Sequence, residues 1–233
     1  MKYILMSAVL LSGIMSCSNP AATESEGKSV DTSMEDAMLQ QALKRTDVAT
    51  TLVMANTILE KDSSRTGLYD TLFQVYYEMQ NPAGLADVGE VLLKTQPNNI
   101  EYLEPTIAGL ISLQDYQKAL MLQDRMFSIT GDLRIKMQMA TVHFEMQDFK
   151  SAYEEVMFVI DHKTVADTIK VEQMMPSVPN KTQMVSLTAL AYFSLGQLEY
   201  SEGKKQAAIK HIQKALALEP RYDLAASTLL EIH

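Results

Sequence analysis

The stretch YYEMQNP at residues 76–82 returns as LISLQDY at 110–116 and again as HFEMQDF at 143–149. Each is an apolar, helix-like run that meets a Gln, then Asn or Asp, then Pro or an aromatic residue. The starts are 34 and 33 residues apart (76 to 110, then 110 to 143). A period of this size marks an array of small units, none of which can bury its own apolar face, so that stacked neighbours must form a shared core. Composition permits such an array: 47% of the 233 residues are hydrophobic, with only nine Gly and seven Pro, which is enough to build a core with few helix breakers. From Met34 onward apolar residues recur at three and four, and breaks fall near 45–47, 62–64, 80–82, 96–99, 114–115, 130–132, 147–148, 202–203 and 219–220. Helices of roughly 12–17 residues are predicted between most of them. Asp115, Asp132 and Asp148 are expected as N-caps, and Pro82 as a first helical residue after Asn81.

Residues 191–220, AYFSLGQLEYSEGKKQAAIKHIQKALALEP, carry Tyr192, Leu195, Gly196, Ala208, Ile212, Ala215 and Pro220. This segment resembles the tetratricopeptide repeat, departing from it at Glu199, where that family usually has Tyr. Small residues at Gly196, Ala208 and Ala215 would let helices approach closely. In the same frame Ala152 and Ala119 take the place of Ala208 in earlier units, and Tyr69, Leu72, Tyr76, Leu85, Leu92 and Pro97 fill a further one. The resemblance covers residues 66–220 well and 34–65 as a degenerate hairpin, with 223–232 as a solvating end helix. It implies an all-α fold, a solenoid of helical hairpins spanning 34–233.

Two features depart from the period. Pro105 falls inside a predicted helix, which is expected to kink or start late. Residues 161–186 insert roughly twenty extra residues relative to the expected period. Within them 168–172 and 182–186 alternate and are rich in β-formers, with Pro176 and Pro179 between, so a small antiparallel hairpin is expected.

The N-terminus is of a different kind. Residues 1–16 have one positive charge at Lys2 and an apolar run from Tyr3 to Leu11, the layout of a secretory signal and too short to span a bilayer as an anchor. Ile14-Met15-Ser16-Cys17 resembles the lipobox of bacterial lipoproteins, which implies acylation of Cys17 and a membrane anchor there. Residues 17–33 then read as a flexible tether. The resemblance implies a bacterial cell-envelope lipoprotein at the outer membrane, facing the periplasm. The chain has 20 Lys+Arg and 29 Asp+Glu; removing 1–16 takes only Lys2, leaving 19 − 29 = −10. Nucleic acid is not an expected partner of a body so acidic and without a basic block.

No catalytic constellation stands out. His143, His162, His211 and His233 are scattered, and the sequence has no HExxH, no cysteine pair, no GxSxG and no Gly-rich phosphate loop. Glu154-Glu155 and the Glu101/Glu104 pair read as solvated helix charges. The reading is of a non-enzyme without cofactor or resident metal. An alternative is a periplasmic metal or small-ligand binder that uses methionines such as Met137, Met139, Met174 and Met175, or the 161–186 arm. Helical spacing instead places Met121, Met126 and Met139 in the core.

What remains is binding of a protein or peptide partner, as a scaffold or adaptor. In the tetratricopeptide family the first helix of each repeat lines a concave groove. The resemblance maps that groove onto Asp70, Gln74 and Tyr77, then Glu104, Ala108 and Ile111, then Met137, Thr141 and Phe144, then Phe193, Gln197 and Tyr200. Tyr77, Ile111, Phe144 and Tyr200 would form an apolar ladder, with Asp70, Glu101 and Glu104 adding acid. The Lys and Asn of the family's carboxylate-clamp members are missing from these places, which argues against capture of an acidic chaperone tail.

Overall fold

The computed structural model describes residues 31–232. The signal segment, Cys17 and most of the tether lie outside them. The order is α1 (Ser33–Lys44), α2 (Val48–Lys61), α3 (Leu68–Glu78), α4 (Pro82–Thr95), α5 (Ile100–Ser112), α6 (Tyr116–Thr130), α7 (Leu133–Glu145), α8 (Phe149–Asp161), α9 (Lys163–Ala166), β1 (Lys170–Met174), β2 (Thr182–Ser186), α10 (Leu187–Ser201), α11 (Lys205–Leu218) and α12 (Asp223–Ile232). The pairs α1/α2, α3/α4, α5/α6, α7/α8 and α10/α11 are helical hairpins, each packed on its neighbour in sequence. The fold is an all-α solenoid of tetratricopeptide type with one small sheet.

The recurring Gln marks the turns. Thr46, Gln80, Gln114, Gln147 and Gly203 all take left-handed backbone, with φ of 52°, 52°, 61°, 59° and 77°. The next residue donates its N–H to a carbonyl five positions back: Asp47 to Ala42, Asn81 to Tyr76, Asp115 to Leu110 and Asp148 to His143 at 2.9 Å, and Lys204 to Glu199 at 2.8 Å. Each first helix therefore ends in a Schellman motif, which satisfies its last carbonyls and reverses the chain. The residue that closes the motif also opens the second helix. Asp47, Asn81 and Asp148 accept the N–H of Thr50, Gly84 and Ser151 at 3.1, 3.1 and 3.2 Å. Asp132 likewise caps α7 through Arg134 N–H at 2.9 Å. Asp115 corrects the expectation: it makes no side-chain cap, and its carboxylate lies 3.5 Å from Lys118 Nζ. Pro82 is the first residue of α4, as expected.

Close approach depends on the small residues. Ala119, Ala152, Ala208 and Ala215 are fully buried, and a Cβ on Gly196 would sit 2.6 Å from Ile212 Cγ1. Leu39, Ala55, Ile58, Leu72 and Leu92 join α1–α4. Leu103, Leu110, Ala119 and Leu122 join α5 and α6, with Ala86 and Leu93 of α4. A third cluster, including Leu133, Val156 and Leu195, links α7, α8 and α10, and a fourth gathers Phe193, Ile212, Tyr222 and Ala225. α5 begins at Ile100, five residues ahead of Pro105, so of the two expected effects of the proline the late start does not occur. One expectation is corrected: Met121 is 58% exposed on α6 rather than in the core. The end helix α12 is less polar than a solvating cap, burying Ala225 and Ile232.

The insertion is a two-stranded antiparallel hairpin with register Lys170↔Ser186 through Met174↔Thr182. β2 falls at the expected residues, while β1 begins two residues later than the expected 168–172. One face, with Val171 and Val185, enters the cores beneath; the other carries the exposed Met174 and Met184. The hairpin is latched onto the segment between α11 and α12. Ser186 N–H donates to Glu219 Oε1 at 3.0 Å, Lys170 pairs with the same carboxylate, and Ser177 N–H donates to Asp223 Oδ2 at 2.8 Å. With its amide turned to match its surroundings, Gln183 donates to Arg221 C=O and accepts from Asp223 N–H, both at 2.8 Å.

Candidate partner groove

Because side chains three and four apart share a helix face, each first helix turns one row to its mates in the hairpins on either side. A chain of clefts runs along that row. Between α1 and α3 one is bounded by Leu43, Asp70, Gln74 and Glu78. Gln74 and Glu78 also border the next, which reaches Tyr77, Pro105 and Ala108. Ala108 leads into the largest, about 840 Å³ between α5 and α7, with Ile107, Ile111, Met126 and Val142 as apolar walls and Glu104 and Glu145 among its acids. Thr141 and Glu145 continue into a smaller cleft against Phe144, Ser194 and Gln197. Thr141, Ser194 and Gln197 then border the last, about 400 Å³, enclosed by α7, α10, α12 and β1. The shared residues make these one groove along the array.

Most of the mapped residues border the groove. Asp70, Gln74, Tyr77, Glu104, Ile111, Thr141, Phe144 and Gln197 line it. Met137 and Phe193 also touch it but are only 6% and 2% exposed, so they act as core beneath the floor and correct the expectation of accessible contacts. Glu101 and Tyr200 border none of these five clefts; Glu101 sits in the first turn of α5 and Tyr200 near the end of α10. The apolar ladder is thus reduced to Tyr77, Ile111 and Phe144. Of these Tyr77 is the most open, at 55%. Phe144 is partly consumed by an edge contact with Phe149, centroids 5.6 Å apart.

The groove is acidic. Its charged lining residues among those described are Asp70, Glu78, Glu104, Asp132 and Glu145 against Arg134 alone, and Arg134 is bound to Asp132 at 2.6 Å. That guanidinium holds the Asp132 carboxyl below its ordinary range. Asp70 accepts the hydroxyl of Tyr102, which pushes the phenol up. Sequence reasoning missed Glu78 and Glu145, each one residue past a mapped triplet, and Arg134, three residues ahead of Met137 on α7. It also missed Val171 and Gln173, which reach the groove only because the insertion folds back. Glu199, where the repeat pattern failed, is buried and bonded to His211 Nδ1 at 2.6 Å, a polar pair between α10 and α11. Among the described residues no three His, Cys, Asp or Glu are grouped to hold a metal, and no helix is long and apolar enough to cross a membrane.

Comparison with known proteins agrees with this architecture. The tetratricopeptide repeat family model matches residues 189–222. Among solved structures the chain is similar to YrrB, described as a TPR protein with an unusual peptide-binding site, at 16% identity and TM-score 0.55, over 86% of this chain and 93% of that one. It is also similar to the MamA protein at 15% identity and TM-score 0.53, over 82% and 92% of the two chains. A MamA fragment from Desulfovibrio magneticus RS-1 gives 14% identity and TM-score 0.50, over 82% and 97%. At these identities the likeness is one of fold. No curated protein sequence matches the chain.

Proposed function

We propose that this protein is a non-enzymatic interaction scaffold of the bacterial cell envelope. A segment of a partner protein lies in the concave groove, and acylation of Cys17 holds the molecule to the outer membrane, facing the periplasm. The observation that carries the reading is the continuity of the groove from α1 to α12, with apolar walls at Tyr77, Ile111 and Phe144 and acids among its lining. A surface of this length suits a chain segment better than a small molecule, and aromatic anchors in such a groove would dominate its energy. The peptide-binding site named for the similarly folded YrrB supports the same use.

The test is photocrosslinking in the native envelope, with the reactive residue placed at Ile111, at Tyr77, or at Met121, which is exposed and borders none of the clefts of the groove. Adducts from the first two and not from Met121 are expected, whereas equal adducts from all three would sink the groove. Anchoring is tested separately with labelled fatty acid, which should enter the parent chain and not Cys17→Ser.

A further inference from the structure

We infer that the groove takes its partner in extended form, as a cationic segment that adds a strand to the open edge of β1. This rests on the groove reading and names the form and charge of the segment bound there.

The ladder determines which backbone groups are free. Leu187 N–H donates to Ile169 C=O and Met175 N–H to Lys181 C=O, both at 2.9 Å, at the two ends of the register. In an antiparallel pair bonded and non-bonded positions alternate. The bonded pairs are therefore 169–187, 171–185, 173–183 and 175–181. The backbone groups of Lys170, Glu172 and Met174 point outward from β1, and those of Thr182, Met184 and Ser186 from β2.

The two edges meet different surroundings. On β2 the outward Ser186 N–H is taken by Glu219, and the Gln183 side chain ties the strand to Arg221 and Asp223. β1 borders the groove with its core-facing side. The last cleft is lined by Val171 and Gln173 and by no residue of β2, with Arg134 and Gln138 of α7 on the opposite bank. Among the described residues nothing accepts the N–H of Lys170, Glu172 or Met174, and only Gln173 Nε2 reaches an outward carbonyl, that of Glu172 at 2.8 Å. Charged side chains commonly guard an exposed edge. Here both are drawn away, Lys170 to Glu219 and Glu172 to the Thr182 hydroxyl.

Direction and charge then agree. β1 runs from Ile169, bonded to Leu187 at the start of α10, toward Ser177, bonded to Asp223 at the start of α12. An added strand thus runs along the array, as the groove does, and its continuation crosses α7 and α5 beside Asp132, Glu145 and Glu104. An extended chain satisfies the row of β1 amides; those acids favour Lys or Arg in the residues beyond the added strand.

The probe is a random peptide library selected on the full chain. Selected peptides should be rich in Lys and Arg. Methylating the backbone nitrogens of alternate residues should abolish binding in one register and spare it in the other, since only every second N–H of an added strand faces its host. Glu172→Pro and Met174→Pro each remove an outward N–H and leave the backbone ladder to β2 intact, Met174→Pro without the loss of the Thr182 hydroxyl contact that Glu172→Pro entails. With the helical spectrum unchanged, each should weaken binding about tenfold. If neither proline weakens binding and methylation shows no alternation, while Ile111→Ala and Phe144→Ala do weaken it, strand addition is wrong and the groove reading stands. Peptides indifferent to all four substitutions, or no selected peptide at all, would overturn both. Acidic peptides selected as readily as basic ones would overturn the charge assignment.

Discussion

Ser177, in the turn of the β-hairpin, donates its N–H to Asp223 at 2.8 Å, and so ties the insertion to the first residue of the last helix. Together with Glu219, which receives Lys170 and Ser186, this makes the latch depend on two carboxylates. Both are held below their ordinary pKa: Asp223 by Ser177, and Glu219 by Lys170 first and, against partial burial, by the Ser186 N–H. A carboxylate with a depressed folded pKa contributes stability that is complete above its unfolded value and lost as pH falls through the folded one. Hydrogen exchange in β1 and β2 should therefore quicken, relative to α4 and α5, as pH drops below about 4. Asp223→Asn with Glu219→Gln should show the quicker exchange already at neutral pH. Equal protection in parent and double variant would mean that the apolar face and the Gln183 bonds hold the hairpin without the two carboxylates.

The left-handed turn residues offer a way to stabilise the array. Gln114 and Gln147 carry φ near +60°, a conformation that costs a residue with a Cβ about 1–2 kcal/mol, while Gly pays mainly in unfolded-state entropy. Gln114→Gly and Gln147→Gly should each raise stability by about 0.5–1 kcal/mol in denaturant melts. A loss from both would show that the Gln side chains do more than occupy the turn.

Glycines test the packing between helices. A Cβ on Gly89 of α4 would lie 1.9 Å from Thr106 Oγ1 of α5, whereas one on Gly67 would meet nothing within 4 Å. Gly89→Ala should cost about 1–3 kcal/mol by overpacking. Gly67→Ala should fall within about 0.5 kcal/mol of the parent. Thermal melts of the pair decide it; similar values would mean that α4 and α5 are not in such close contact.

Gln123 of α6 is only 1% exposed, and neither atom of its amide has a hydrogen-bond partner. A buried unsatisfied amide costs roughly 1–3 kcal/mol. Gln123→Met, similar in volume and able to adapt to the gap, should stabilise the fold by about 1 kcal/mol or more. A destabilised variant would reveal a polar neighbour that the amide uses.

The sequence by itself determined the hairpin array, because its signals are local. The Gln-Asn/Asp turns at 80–81, 114–115 and 147–148 recur with a fixed period, and the small residues Ala119, Ala152, Ala208 and Gly196 fix which helix faces touch. Stacked repeats contact chiefly their neighbours, so a period in the chain becomes a period in space. Alternation also marked β2 and located the hairpin, though β1 slipped by two residues because Thr168 and Ile169 are as good β-formers as the residues that pair. Tertiary structure alone decided which groove positions are open. Met137 and Phe193 hold the same repeat places as accessible residues elsewhere, but the folded-back insertion and the neighbouring helices bury them. It also brought β1, which belongs to no repeat, to the groove wall opposite Arg134 and Gln138. That docking depends on contacts between residues 46 positions apart, as between Ser177 and Asp223, and no periodicity in the chain encodes where such a pair will meet.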